Sequence, residues 1–111
     1  RTIRRKETRG EKFLPLYNLL KFMSYQSKYF SKEVKPPIGW DQESFWWAVE
    51  KLERYGNDNN LFDLAWSLGI KFDPSLKGKV KIVELMIVIL NEGGSKETVI
   101  KAIKEFCDAL P

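Results

Sequence analysis

The sequence contains no histidine. That removes the side chain most often used as a general base near neutral pH and the commonest metal ligand. A Ser–His–Asp triad, a Cys–His dyad and a histidine-held zinc are therefore excluded. There is one cysteine, Cys107, so no disulfide forms within the chain and nothing demands an oxidising compartment. The longest apolar run, Leu85 to Leu90, is far shorter than the roughly 20 residues that span a bilayer. No Walker loop is present, because "GKVK" lacks both the glycine-rich lead and the hydroxyl residue after its lysine. No secretory leader is visible at the start, and an intracellular, cytoplasmic setting is the expectation. Asp58, Asp63 and Asp73 stand where helix caps and turns account for them, and no acids converge as a metal-dependent nuclease requires. The expectation is a domain without catalytic residues, metal or cofactor.

What the sequence does contain is unevenly placed charge and many aromatic rings. The net charge is +4 over 111 residues, and aromatic residues make up 14%, which suits one folded domain. Residues 1–12, "RTIRRKETRGEK", hold Arg1, Arg4, Arg5, Lys6, Arg9 and Lys12 against Glu7 and Glu11, so this arm carries the whole excess. The remaining 99 residues hold 13 basic and 13 acidic side chains, which cancel. Arginine's planar fork matches phosphate in two-pronged geometry, so the arm reads either as a phosphate-binding arm or as a solvated linker.

The hydrophobic spacing from residue 13 to 111 predicts one all-α bundle of five or six helices. A first helix is expected over about 11–30, with Pro15 in its opening turn and Leu16, Leu19, Leu20 and Met23 on one face. Pro36-Pro37 stops any continuation. A second is expected over 42–55, capped by Asp41 and ended by Gly56, with Phe45, Ala48, Val49, Leu52 and Tyr55 inward. Next come Leu61–Leu68, capped by "NDNN", and a turn begun by Asp73-Pro74. "VKIVELMIVIL" reads as a buried central helix, with a strand the alternative. A last helix capped by Ser95 turns Val99, Ile103, Phe106 and Leu110 inward, while Glu97, Lys101 and Glu105, with Lys104 and Asp108, are expected to pair on its surface.

Three of the four tryptophans, Trp40, Trp46 and Trp47, fall within eight residues. Trp40 before the Asp41 cap fits a hydrophobic staple on Phe45, and Trp46 borders the core face. Trp47 falls on the opposite side at about 100° per residue, in a row with Lys51 and Arg54. That row suits an indole stacked on a base with cations on phosphate, unless another element covers Trp47.

A second basic cluster, Lys71, Lys77, Lys79 and Lys81, gathers around Gly78. The stretch "LFDLAWSLGIKFDPSLKGKVKIVELMIVIL", residues 61–90, resembles the helix–extended loop–helix nucleic-acid modules of the SAP kind and of the amino-terminal part of the transcription terminator Rho. The resemblance implies that Lys77, Lys79 and Lys81 meet phosphate at a helix start. The loop here is longer than in those modules, and the second helix lacks their basic residue near its end. "ETVIKAIKEFCDALP" is similar to the end of saposin-type lipid-binding domains, but those are built on disulfides that one cysteine cannot form. In size and character the whole chain resembles the small non-catalytic archaeal primase protein, which is like the carboxy-terminal domain of the large primase polypeptide without its iron–sulfur cluster. Small helical subunits of CRISPR effector complexes are comparably similar.

The functional expectation is a nucleic-acid-binding accessory domain or subunit of a replication-type complex, with nucleotides as further ligands. Single-stranded or template DNA is the favoured partner, beside other protein subunits and no membrane. Its surface would comprise Arg1, Arg4, Arg5, Arg9 and Lys12 of the arm, the Trp47, Lys51 and Arg54 row, and Lys77, Lys79 and Lys81. The alternative is a helical protein–protein interaction module, or a small subunit of a CRISPR-type ribonucleoprotein, docking through Trp47 or through the Phe62/Trp66 pair.

Overall fold

The computed structural model describes residues 25–111. They form four helices and no strand: α1 (Gln42–Tyr55), α2 (Asn60–Ser67), α3 (Ile82–Glu92) and α4 (Lys96–Ala109), with one 3-10 turn (Pro74–Leu76) between α2 and α3. The all-α reading therefore holds for these residues. Most of the expected first helix, and the basic arm, lie outside the described residues.

The described end of that expected helix is not helical. Over Tyr25–Phe30 the chain is irregular, and side-chain acceptors take the N–H groups that a helix would use. Ser27 Oγ accepts from the amides of Tyr29 (3.1 Å) and Phe30 (2.9 Å). The Glu53 carboxylate of α1 accepts from the amide of Lys28 (3.0 Å) and from the hydroxyls of Tyr25 and Ser27. Glu53 is buried, and these three donors replace the water it gives up. Burial, reinforced by the hydrogen bond to Glu53 and its negative charge, pushes the Tyr25 phenol well above its ordinary pKa. Residues 25–30 thus lie as a strap against α1, tied to it by one carboxylate.

Each helix begins where a short polar side chain can accept its free amides, α3 excepted. Asp41 accepts from the amide of Ser44 (3.0 Å), and Ser95 from that of Thr98 (3.2 Å). At α2 the cap is Asn57, whose Oδ1 accepts from Asn60 N (2.8 Å), while Asn60 Oδ1 accepts in return from Asn57 N (2.6 Å). α1 ends where the backbone turns extended at Gly56, a position with no room for a side chain. A Cβ there would lie 2.4 Å from the Leu52 carbonyl and 2.6 Å from Leu61 Cδ2. Gly93, which ends α3, is as confined: a Cβ would meet the Ile89 carbonyl at 2.6 Å, with Leu68 of the α2 end and Val99 of α4 both at 3.0 Å.

The core joins all four helices. Val49 and Leu52 of α1, Leu61 of α2, Leu85, Met86 and Ile89 of α3, and Val99 and Ile103 of α4 have no exposure. Trp40, Phe45 and Trp46 belong to the same cluster, with the Phe45 and Trp46 rings edge to face at 5.0 Å. Tyr55, expected inward, is exposed because it occupies the last turn, beyond Leu52. α3 is a helix and not the alternative strand, but it is not buried all round: Ile87 is 45% exposed. Phe106 and Leu110 of α4 are half-buried rather than fully inward. The expected lysine–acid pairs along α4 do not come within ion-pair distance; the described residues form three ion pairs, Arg54–Glu50, Lys77–Asp63 and Lys96–Asp41.

Two measurements test this packing. Gly56→Ala should lower stability by about 1–3 kcal/mol, the usual cost of forcing a methyl into a filled site, read as an earlier denaturant midpoint. Asp41 is held well below the ordinary carboxylate range, first by Lys96 and then by the Ser44 amide. A depressed carboxylate stabilises the fold above its unfolded pKa of about 3.9, and that contribution fades as pH falls through the folded value. Asp41→Asn keeps a capping oxygen and loses the ion pair. The wild type should therefore melt higher than Asp41→Asn at neutral pH, with the gap closing below about pH 4; a gap that ignores pH would contradict it.

Candidate nucleic-acid interface

All four tryptophans lie among the described residues, and they separate cleanly by exposure. Trp40 and Trp46 are buried at 9% and 6%, Trp47 is half-buried against the core, and Trp66 of α2 is 38% exposed. Trp47, expected on the outside, does not present an open face. Its companions are engaged as well. Arg54 is ion-paired to Glu50 at 2.8 Å, and the Lys51 ammonium lies 5.9 Å from the Tyr55 ring centre. Burial raises the pKa of the Cys107 thiol on α4, against the opposing charge of Lys51. α1 is also covered on two further sides. The core takes Ala48, Val49 and Leu52, and Trp46, Glu50 and Glu53, a second stripe one turn apart, are buried too, with the strap bonded to Glu53.

The open indole is built by the end of α2. Phe62 and Trp66 stand one turn apart, with ring centres 6.4 Å apart and planes at 19°. Phe72 packs on the other aromatic of the pair, 5.4 Å from the Phe62 centre. Beyond Ser67 the chain reverses through Gly69, whose φ of +89° is a left-handed conformation that side chains resist. The Ile70 amide then reaches the Ala65 carbonyl (3.0 Å) and the Gly69 amide the Trp66 carbonyl (3.0 Å), the paired bonds of a Schellman ending. Half-buried Ile70 fixes the return, and the next residue, Lys71, comes back over α2. Its ammonium sits 4.2 Å from the Trp66 ring centre, well within cation–π range.

The connection continues as a short, cap-stabilised path. Asp73 accepts from the Ser75 amide (3.0 Å), which holds its carboxyl below the ordinary range, and Pro74 opens the 3-10 turn. Gly78 lies at φ +81° with Asn59 Oδ1 close by, so the loop returns beside the start of α2. Lys77 is spent on an ion pair with Asp63 at 2.8 Å. Lys79 and Lys81 are exposed and in no ion pair among the described residues. Lys81 supplies the extended residue before α3, and no side chain caps that helix start. Free amides and the positive helix end therefore coincide with lysine there.

The structure thus keeps Lys77, Lys79 and Lys81 in one connection, at whose α2 end Lys71 lies over Trp66. It leaves Trp47, Lys51 and Arg54 on a separate, partly covered face of α1. Arg1, Arg4, Arg5, Arg9 and Lys12 lie outside the described residues. Without Lys21, which also lies outside, the described residues carry twelve cations against thirteen acids, so the loop's positive charge is local rather than general. Among the described residues, no group of three potential ligands could hold a metal ion, and no helix is long and apolar enough to cross a membrane. The signal for the Trp66–Lys71 pair is present in the sequence: an i, i+4 aromatic pair followed by Leu-Gly, a helix ending that folds the next lysine back.

The exposures lead to a direct optical test. Iodide, an anion drawn to Lys71, should quench chiefly Trp66 fluorescence. Trp66→Phe should remove most of the quenchable emission and Trp46→Phe little of it. Equal losses would mean that Trp66 is not the open indole. No family model matches the chain, and neither a curated protein nor a solved structure matches it.

Proposed function

We propose that this domain is a non-catalytic nucleic-acid-binding module that grips single strands through the α2–α3 connection. The observation that carries the reading is the exposed indole of Trp66 beneath the Lys71 ammonium, at the start of a connection that also carries the exposed Lys79 and Lys81. A base stacks on an aromatic face regardless of its identity, while nearby cations hold the strand's phosphates. Lys71 would then exchange a ring for a phosphate, and the free amides at the start of α3 would receive a second one. Duplex is the weaker fit, because its bases are already stacked on one another. The arm residues Arg1, Arg4, Arg5, Arg9 and Lys12 would add phosphate contacts on the same strand, as in an accessory subunit of a replication-type assembly.

Titration of intrinsic fluorescence with a single-stranded oligonucleotide at several salt concentrations tests this. Three lysine–phosphate contacts from Lys71, Lys79 and Lys81 should give a log–log salt slope of about −2, and arm contacts should steepen it. Trp66→Ala should weaken binding by about 1–3 kcal/mol, whereas Trp47→Ala should lower the melting temperature more than the affinity. Asp63→Asn releases Lys77 and should steepen the slope by about 0.7. Binding that ignores salt, or a Trp66→Ala variant that binds as well as wild type, would remove the basis for the proposal.

A further inference from the structure

Just ahead of α1 the chain makes a turn that stands clear of the other described residues. The Trp40 amide donates to the Pro37 carbonyl (3.1 Å), and Gly39 sits at φ +92°, the left-handed third position of a type II turn. Ile38 occupies the outer corner and is fully exposed, at 104%. A Cβ on Gly39 would meet nothing within 4 Å. Both feet of the turn are anchored, since Trp40 is buried in the core and Pro37 is half-buried. The turn calls for glycine at position 39, and nothing in it calls for an isoleucine at 38.

At the foot of the turn lies a hollow of about 110 Å³. Phe30, Val34 and Pro37 line it from the chain ahead of α1, and Phe45 of α1 with Ile87 and Leu90 of α3 from the other side. An apolar cavity of about 150 Å³ holds a benzene ring, so this hollow has room for one branched aliphatic side chain. Val34 and Ile87 line it, and Ile38 follows directly on Pro37. Among the described residues, three of the four exposed aliphatic side chains thus belong to one patch. Scattered singly they would need no explanation, but gathered they mark a contact surface.

We propose that the hollow receives Ile38 from a second copy of this chain, across a twofold axis that seats both isoleucines at once. Knob and hollow belong to the same chain, and that identifies the occupant. The turn holds Ile38 outward, so it cannot fill the hollow beside it, while the same residue from another copy can. A twofold interface sets one patch against itself, so each copy gives one side chain and receives one. Lys35 is the one charged residue that lines the hollow, and its exposed stem can carry the ammonium to the rim. There Asn91 donates its amide to the Ile87 carbonyl (2.8 Å), which leaves Oδ1 to accept from Lys35 of the other copy. The patch is small, so the association is weak and concentration-dependent. It includes none of Trp66, Lys71, Lys79 or Lys81, so it stands independently of nucleic-acid binding.

Sedimentation equilibrium of the full chain from about 10 µM to 1 mM, the range of weak interfaces, should show monomer and dimer and nothing larger. Ile38→Ser removes the knob from a fully exposed position and should weaken the dimer by about tenfold or more, with the melting temperature unchanged. Ile87→Glu puts a charge into the hollow and should do the same. A mixture of the two variants keeps one intact knob and one intact hollow, so it should associate more strongly than either variant alone. In a mixed sample of isotope-labelled and unlabelled chains, the Ile38 δ1 methyl of one copy should show contacts to the Phe30 and Phe45 rings of the other. A monomer at every concentration overturns the proposal and leaves the hollow to another occupant. So does a dimer that Ile38→Ser does not weaken, because the copies then meet elsewhere. Growth beyond the dimer overturns the twofold arrangement, since the contact then fails to close.

Discussion

Burial of α1 from two directions governs what this domain can show to a partner. Ala48, Val49 and Leu52 are fully enclosed by the other helices, and the Glu53 carboxylate holds the strap of residues 25–30 along another side. A carboxylate with three donors is costly to detach, because removing them leaves a buried charge without solvation. The strap therefore stays, and the tryptophan-rich start of α1 is committed to the interior. With Trp40 and Trp46 enclosed and Trp47 half-covered, display of an indole passes to α2, a helix of 8 residues that begins at the Asn57–Asn60 hydrogen-bond pair and ends in the Gly69 turn.

The same division sorts the cations. Those on α1 have near neighbours: Arg54 has Glu50, and Lys51 stands over Tyr55. Lys96 holds the first turn of α1 through Asp41. Lysines in the α2–α3 connection are held mostly by backbone turns instead, and among the described residues only Lys77 is paired to an acid. A loop fixed by Gly69, the Asp73 cap and Gly78 keeps Lys79 and Lys81 at defined positions, in no ion pair among the described residues. That combination of an ordered backbone and uncommitted ammonium groups is what a phosphate-binding loop requires, since less ordering entropy is lost on binding.

Most of the helical layout is legible from local chemistry. Asp41, Asp73 and Ser95 are readable as caps, Gly56 as a stop, and Val49, Leu52, Val99 and Ile103 as core, because each depends on spacing within one helix. The strap is not legible. Tyr25, Ser27 and Phe30 continue an apolar pattern that suits a helix, and only the distant Glu53, 25 or more residues away, supplies the competing acceptor. The candidate site follows the same rule. Lys77, Lys79 and Lys81 are near neighbours in sequence and stay together in the fold, whereas Trp47 is half-buried against the core through contacts that spacing within α1 does not report. Glu50 and Glu53 are polar residues on a second buried stripe, so hydrophobic periodicity cannot reveal it. Trp66 reads from sequence as a protein-docking residue because its connection to Lys71 runs through a helix ending rather than along a helix face.

Gly93 has a consequence for descent. It stands where the end of α2, the end of α3 and the start of α4 converge, with backbone and two side chains already at or inside contact distance of any added carbon. Substitution in the exposed lysine loop leaves the packing in place, but substitution at position 93 pushes three helices apart at once. In lineages that share this architecture, purifying selection should hold that glycine long after the surface charges have diverged. Distant kinship would then be written in the junction rather than in the exposed charges.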